Sequence, residues 1–96
     1  MIQNAGTQII TADGVVNASS VAVRVFAVHI ISGAGGGAVV SLRSGAVVGG
    51  TIWVTETGTA STGKTFSYGT QGILFPNGCF VDVDTNTTSV AVTYSL

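Results

Sequence analysis

The sequence predicts an all-β fold: a single small β-sandwich, jelly-roll-like, of about eight short antiparallel strands filling residues 1–96. Three observations point there. Fifteen valines and thirteen threonines against three leucines make a β-branched composition, and such side chains pack well on a pleated surface. Fourteen glycines supply turns. Apolar residues alternate over short runs between turn signals, and no window of helical length repeats with a period of about 3.6.

Thr7–Thr11 (TQIIT) reads as the first strand, closed by the Ala12-Asp13-Gly14 turn. Val15–Ser20 fits neither period. Val21–Ser32 is the strongest strand, with Val21, Val23, Val25 and Ala27 on one face and Ala22, Arg24, Phe26, Val28 and Ile30 on the other. Both faces are largely apolar, so this strand is expected to be covered on both sides, a second subunit being one cover. Gly33–Gly37 is a flexible turn, Ala38–Arg43 a strand and Ser44–Gly50 a loop. Thr51–Thr57 sets Ile52, Val54 and Glu56 opposite Trp53, Thr55 and Thr57. The polar loop Gly58–Gly63 leads into strands Lys64–Tyr68 and Gly72–Phe75, and Pro76-Asn77-Gly78 turns the chain. Cys79–Asp84 alternates Cys79, Val81 and Val83 inward with Phe80, Asp82 and Asp84 outward. Thr88–Leu96 gathers Val90, Val92, Tyr94 and Leu96 on one face. The short Thr85–Thr87 connection predicts that these last two strands pair as a hairpin.

A 9.6 kDa chain holds one small core and excludes folds that need several βαβ units. Its three cations (Arg24, Arg43, Lys64) and four anions (Asp13, Glu56, Asp82, Asp84) are 7% of residues, against about 25% in ordinary soluble domains. A net charge of −1 forms no basic patch, which argues against nucleic acid as a partner. So little charge protects poorly against association, and a homo-oligomer inside a larger assembly is expected. The apolar stretch Val21–Ile31 carries Arg24 and His29 and is shorter than the roughly 20 residues of a membrane-spanning helix. The start Met1-Ile-Gln-Asn-Ala-Gly lacks the cationic and apolar regions of a secretion signal.

Several motifs resemble chemistry. Gly58-Thr-Ala-Ser-Thr-Gly-Lys64-Thr65 matches the pattern of a phosphate-binding P-loop. That loop works only with a helix behind its lysine, and Phe66-Ser-Tyr-Gly-Thr-Gln-Gly72 is a poor helix. Gly33-x-Gly35-x-x-Ala38 mimics a dinucleotide fingerprint but runs into a strand. Asp82-x-Asp84-x-Asn86 starts like a calcium loop, yet Thr87 and Thr93 stand where the glycine and glutamate belong, so a solvated strand face is the reading. One histidine and one cysteine fall short of a zinc site, and Cys79 reads as a small buried hydrophobe. Arg24 and Glu56 lie on strands and could pair. No catalytic residue, cofactor or metal is therefore expected, and the chain is not read as an enzyme. The candidate functional residues are interface ones: Arg24, His29, Trp53 and Phe80. The two aromatics point away from their strands' more apolar faces, where such residues commonly anchor contacts.

Val23–Gly45 (VRVFAVHIISGAGGGAVVSLRSG) and Glu56–Tyr94, with ETGTASTGKTF, GILFPNGCFVDVD and TTSVAVTY, cover about three quarters of the chain. Together they resemble the small virion structural proteins of tailed bacteriophages, particularly cyanobacterial and marine phages. The resemblance implies a β-sandwich on the virion, made in the host cytoplasm and not secreted. It implies a capsid decoration (cement) protein, commonly a homotrimer, that binds the major capsid protein and stabilises the head. The alternative is a phage tail or fibre part, or a receptor- or carbohydrate-binding module, which needs an exposed aromatic platform centred on Trp53.

Overall fold

In the computed structural model, residues 5–17, 21–45 and 49–96 are described. The N-terminal reading of residues 1–4, part of the Val15–Ser20 stretch (18–20) and part of the Ser44–Gly50 loop (46–48) lie outside them. Among the described residues nine strands form, largely where the alternation puts them: β1 (Ala5–Ile10), β2 (Gly14–Val15), β3 (Val23–Ser32), β4 (Val39–Ser44), β5 (Thr51–Thr57), β6 (Gly63–Ser67), β7 (Ile73–Phe75), β8 (Cys79–Val83) and β9 (Thr87–Ser95). The described residues contain no helix.

The pairings nest. β1 pairs with β9, β2 with β8, β3 with β6 and β7, and β4 with β5, all antiparallel, as in one long ribbon folded on itself. Two further pairings, β3 with β9 and β4 with β8, roll that ribbon into two sheets. One has the order β1-β9-β3-β6 with β7 beside β3, and the other the order β2-β8-β4-β5. This is the strand order of a jelly roll.

The core lies between the sheets. Val23, Val25, Val28, Ile30, Phe75, Val90 and Val92 come from the five-stranded sheet, and Leu42, Cys79 and Val81 from the other; all are fully buried. Val16, just after β2, is fully buried as well. Gln8 ties the two sheets at one margin. Its amide donates to the Val15 carbonyl (2.9 Å), and its carbonyl accepts from the Asn17 N–H (2.7 Å).

Two β-bulges change which side chains point inward. Between Val25 and Ala27 the β3–β9 register shifts by one residue. Phe26 and Ala27 therefore both turn outward, and Val23, Val25, Val28, Ile30 and Ser32 all face the core. This corrects the expectation of a strand apolar on both faces. One face is core, and Arg24, His29 and Ile31 lie on the other. A second shift between Leu42 and Arg43 leaves Trp53 as the extra residue on β5.

The expected C-terminal hairpin does not form. β8 and β9 stand in opposite sheets, although Cys79, Val81, Val90, Val92 and Tyr94 do share one core. The cause is the turn between them. Asp84 Oδ1 accepts the Asn86 N–H (3.2 Å) and the Thr87 hydroxyl (2.8 Å), and the Asn86 carbonyl accepts from Gly33 N–H (2.8 Å). The connection thus crosses the sandwich instead of reversing within one sheet.

Candidate functional site

The four candidate interface residues do not form one patch. Arg24 and His29 project from the outer face of the five-stranded sheet. His29 Nδ1 is 2.6 Å from Thr65 Oγ1, and Arg24 Nη1 donates to the Gln71 carbonyl (2.8 Å). Arg24 does not reach Glu56, which instead accepts the Tyr68 hydroxyl at 2.9 Å. Phe80 is half-buried on the outer face of the other sheet, in register with Val15 on one side and Arg43 on the other.

Trp53 lies at the open margin between the sheets. Its indole stacks on Phe75 with centroids 5.0 Å apart and planes 25° from parallel. Trp53 is 46% exposed whereas Phe75 is fully buried, so one indole face closes the core and the other meets solvent. The bulge at this position, invisible to a two-residue period, is what turns it there.

All seven charged side chains are engaged by the chain itself. Arg43 holds Asp82 through Nε (3.1 Å) and Nη2 (3.0 Å), and its Nη1 donates to the Gly50 carbonyl (2.8 Å). Asp13 accepts the Val83 N–H at 2.9 Å. Asp84 shapes the turn already described, Glu56 takes the Tyr68 hydroxyl, and Arg24 holds Gln71. Lys64 Nζ sits 5.2 Å from the centre of the Phe66 ring. Lys64 shares an inward register with Ile30 on a margin strand, an arrangement that discourages edge-to-edge pairing. Burial and then the Glu56 hydrogen bond push the Tyr68 phenol above its ordinary range. Burial alone pushes the Cys79 thiol up to about 12, which fits an inert hydrophobe.

The motifs resolve in the same way. In Gly58–Thr65 the amides of Gly58, Ser61 and Thr62 donate to Ala38, Gly33 and Thr59 carbonyls, and Lys64 enters strand β6. No helix stands behind that lysine to hold a phosphate. The Gly33–Gly37 turn packs against this segment. A Cβ on Gly37 would collide with the Gly58 carbonyl, and one on Gly58 would lie 2.5 Å from Ser32 Oγ. Those glycines serve close packing. Asp82 is spent on Arg43 and Asp84 on its own turn, and no group of three metal-ligating side chains occurs among the described residues. A shallow depression lined by Thr11–Asp13 and Val83–Thr85 contains Asp13 and Asp84, both already bonded.

What remains on the surface is apolar and hydroxylic. On the five-stranded sheet the register aligns Ile9, Ala91, His29 and Thr65 in one row, and Thr7, Thr93, Ala27 and Ser67 in the next. Ser95, Arg24 and Leu74 form a third. On the other sheet, Val15, Phe80, Arg43 and Ile52 form a comparable row. Sequence reasoning missed these rows because they depend on strand order. The geometry defines a class, a jelly-roll sandwich whose few charged side chains each find a partner within the chain. No family model, no curated protein and no solved structure matches the chain.

Proposed function

We propose that this chain is a structural protein of a tailed-phage virion, a capsid decoration protein that adds contact area to the major capsid protein shell and performs no catalysis. The observation that carries the reading is the engagement of every charged side chain within the chain. Such a molecule offers neither a free acid–base pair nor an electrostatic footprint. It offers flat surfaces of Val, Ile, Thr, Ser and Ala, suited to shape-complementary contacts. A standard contact buries about 1,600 Å² in total, and the whole chain exposes 4838 Å², so a few contacts would use much of it. The jelly roll is shared by viral capsid and lectin domains, which agrees with the reading. The segment resemblance to small phage virion proteins adds to it.

The test is co-sedimentation of the purified chain with heads of a tailed cyanophage, followed by cryo-EM. Saturable binding at a fixed ratio to the major capsid protein, with a raised head-disruption temperature, is the expected result. Binding to tails or fibres alone would move the protein elsewhere on the particle. Trp53 favours one competing reading, a carbohydrate-binding module, because its free indole face is held rigid on Phe75. Glycan binding lost in Trp53→Phe, without head binding, would establish that reading instead.

A further inference from the structure

We propose that the outward face of the five-stranded sheet is a contact surface for a second copy of this chain, packed sheet against sheet about a twofold axis. Solvent-facing sheet surfaces ordinarily carry charged residues on alternate positions. Here, among the described residues, the outward positions include two titratable groups, Arg24 and His29. Both are already held, by the Gln71 carbonyl and the Thr65 hydroxyl. Around them stand Ile9, Ile31 and Leu74, which are 62%, 40% and 45% exposed. Ala91 lies between Ile9 and His29. Large apolar side chains rising among small ones make a surface that can interdigitate with its own copy.

Area and charge select the occupant. Four strands at about 4.8 Å spacing, each extending roughly 25 Å on average, give a face of about 500 Å². Two such faces bury about 1,000 Å² in total, the lower bound for a specific interface. The other sheet has three full strands and a two-residue β2, so its self-contact would fall short. Among the described residues the face carries a single formal charge, the Arg24 guanidinium held by the Gln71 carbonyl. A partner recognised by charge therefore finds little to read, whereas a second copy meets a mostly apolar and hydroxylic face with its own. A twofold contact is self-complementary and closes at two copies.

The experiment is sedimentation velocity of the full chain at micromolar concentration, beside Ala91→Arg and a control, Thr57→Arg, on the outward side of the other sheet. The wild type and the control should sediment as dimers and Ala91→Arg as a monomer with an unchanged melting temperature. If Ala91→Arg unfolds, Thr65→Lys on the exposed margin of the same face replaces it with the same expected monomer. A monomeric or trimeric wild type overturns the proposal, as does a dimer that survives the face substitutions. The outcome is separable from the virion reading: a chain that dimerises through this face yet ignores phage heads loses that reading and keeps this one.

Discussion

Removing the Trp53 indole tests whether it is a lid on the core or a free platform. Trp53 is 46% exposed, so Trp53→Ala withdraws roughly 120 Å² of buried aromatic surface. At about 25 cal/mol per Å² this costs about 3 kcal/mol, an upper figure because the unfolded chain also shields some surface. In a domain of this size, that lowers the melting temperature by on the order of 15 °C. The stack on Phe75 adds a term that area does not capture, about 0.5–1.5 kcal/mol for an aromatic pair. A double-mutant cycle with Phe75→Leu isolates it, since the leucine fills much of the volume and removes the ring. Urea unfolding of wild type, both single variants and the double variant supplies the four free energies. A coupling of about 1 kcal/mol is expected. A coupling under about 0.3 kcal/mol, with Trp53→Ala nearly neutral, would mean that the indole is not packed on Phe75.

Five further outcomes follow from the packing. Gly58→Ala should destabilise by at least about 2 kcal/mol in urea unfolding, because its Cβ would lie 2.5 Å from Ser32 Oγ. Gly49→Ala meets open space and should be neutral or gain up to about 1 kcal/mol. The Cys79 thiol is held neutral up to about 12, so above pH 9 the unfolded chain loses that proton before the folded one does. Stability should therefore fall as pH rises from 9 to 10, by at most about 1.4 kcal/mol, and Cys79→Ala should flatten that slope. Val92→Asp places an unpaired charge at a fully buried position, costs several kcal/mol and should give insoluble protein. Asp82→Asn weakens a partly buried pair with Arg43 and should cost on the order of 1 kcal/mol. Soluble, folded Val92→Asp would refute the assigned core face.

The strands were legible wherever a two-residue period ran unbroken. Cys79–Asp84 forms one residue shorter than read, as Cys79–Val83, and Cys79, Val81, Val90, Val92 and Tyr94 all point into the core. The reading failed where one extra residue resets the period. At Phe26 the bulge moves Val28 and Ile30 to the same side as Val23 and Val25, so an ordinary one-sided strand looked two-sided. At Trp53 it turns an apparently outward aromatic back against Phe75. Pairing was equally hidden, because a three-residue connection fits either a hairpin or a crossing between sheets. The carboxylate of Asp84 and the carbonyl of Asn86 decide between them through partners that alternation cannot reveal. The candidate surface was legible as composition, in the scarcity of charge. Its rows became visible only once β9 stood between β1 and β3.

The nested ribbon also fixes the order in which the protein can be completed during synthesis. Ala5 lies opposite Ser95, and β3 is paired along one whole edge by β9, so the middle of the larger sheet waits for β9 to leave the ribosome. Until then, the partner edge of Val23–Ser32 stands unpaired beside half a core. Distant pairings of this kind fold slowly. A nascent chain lacking β9 should therefore be protease-sensitive and prone to aggregate, and protection should appear abruptly once Thr87–Ser95 emerges.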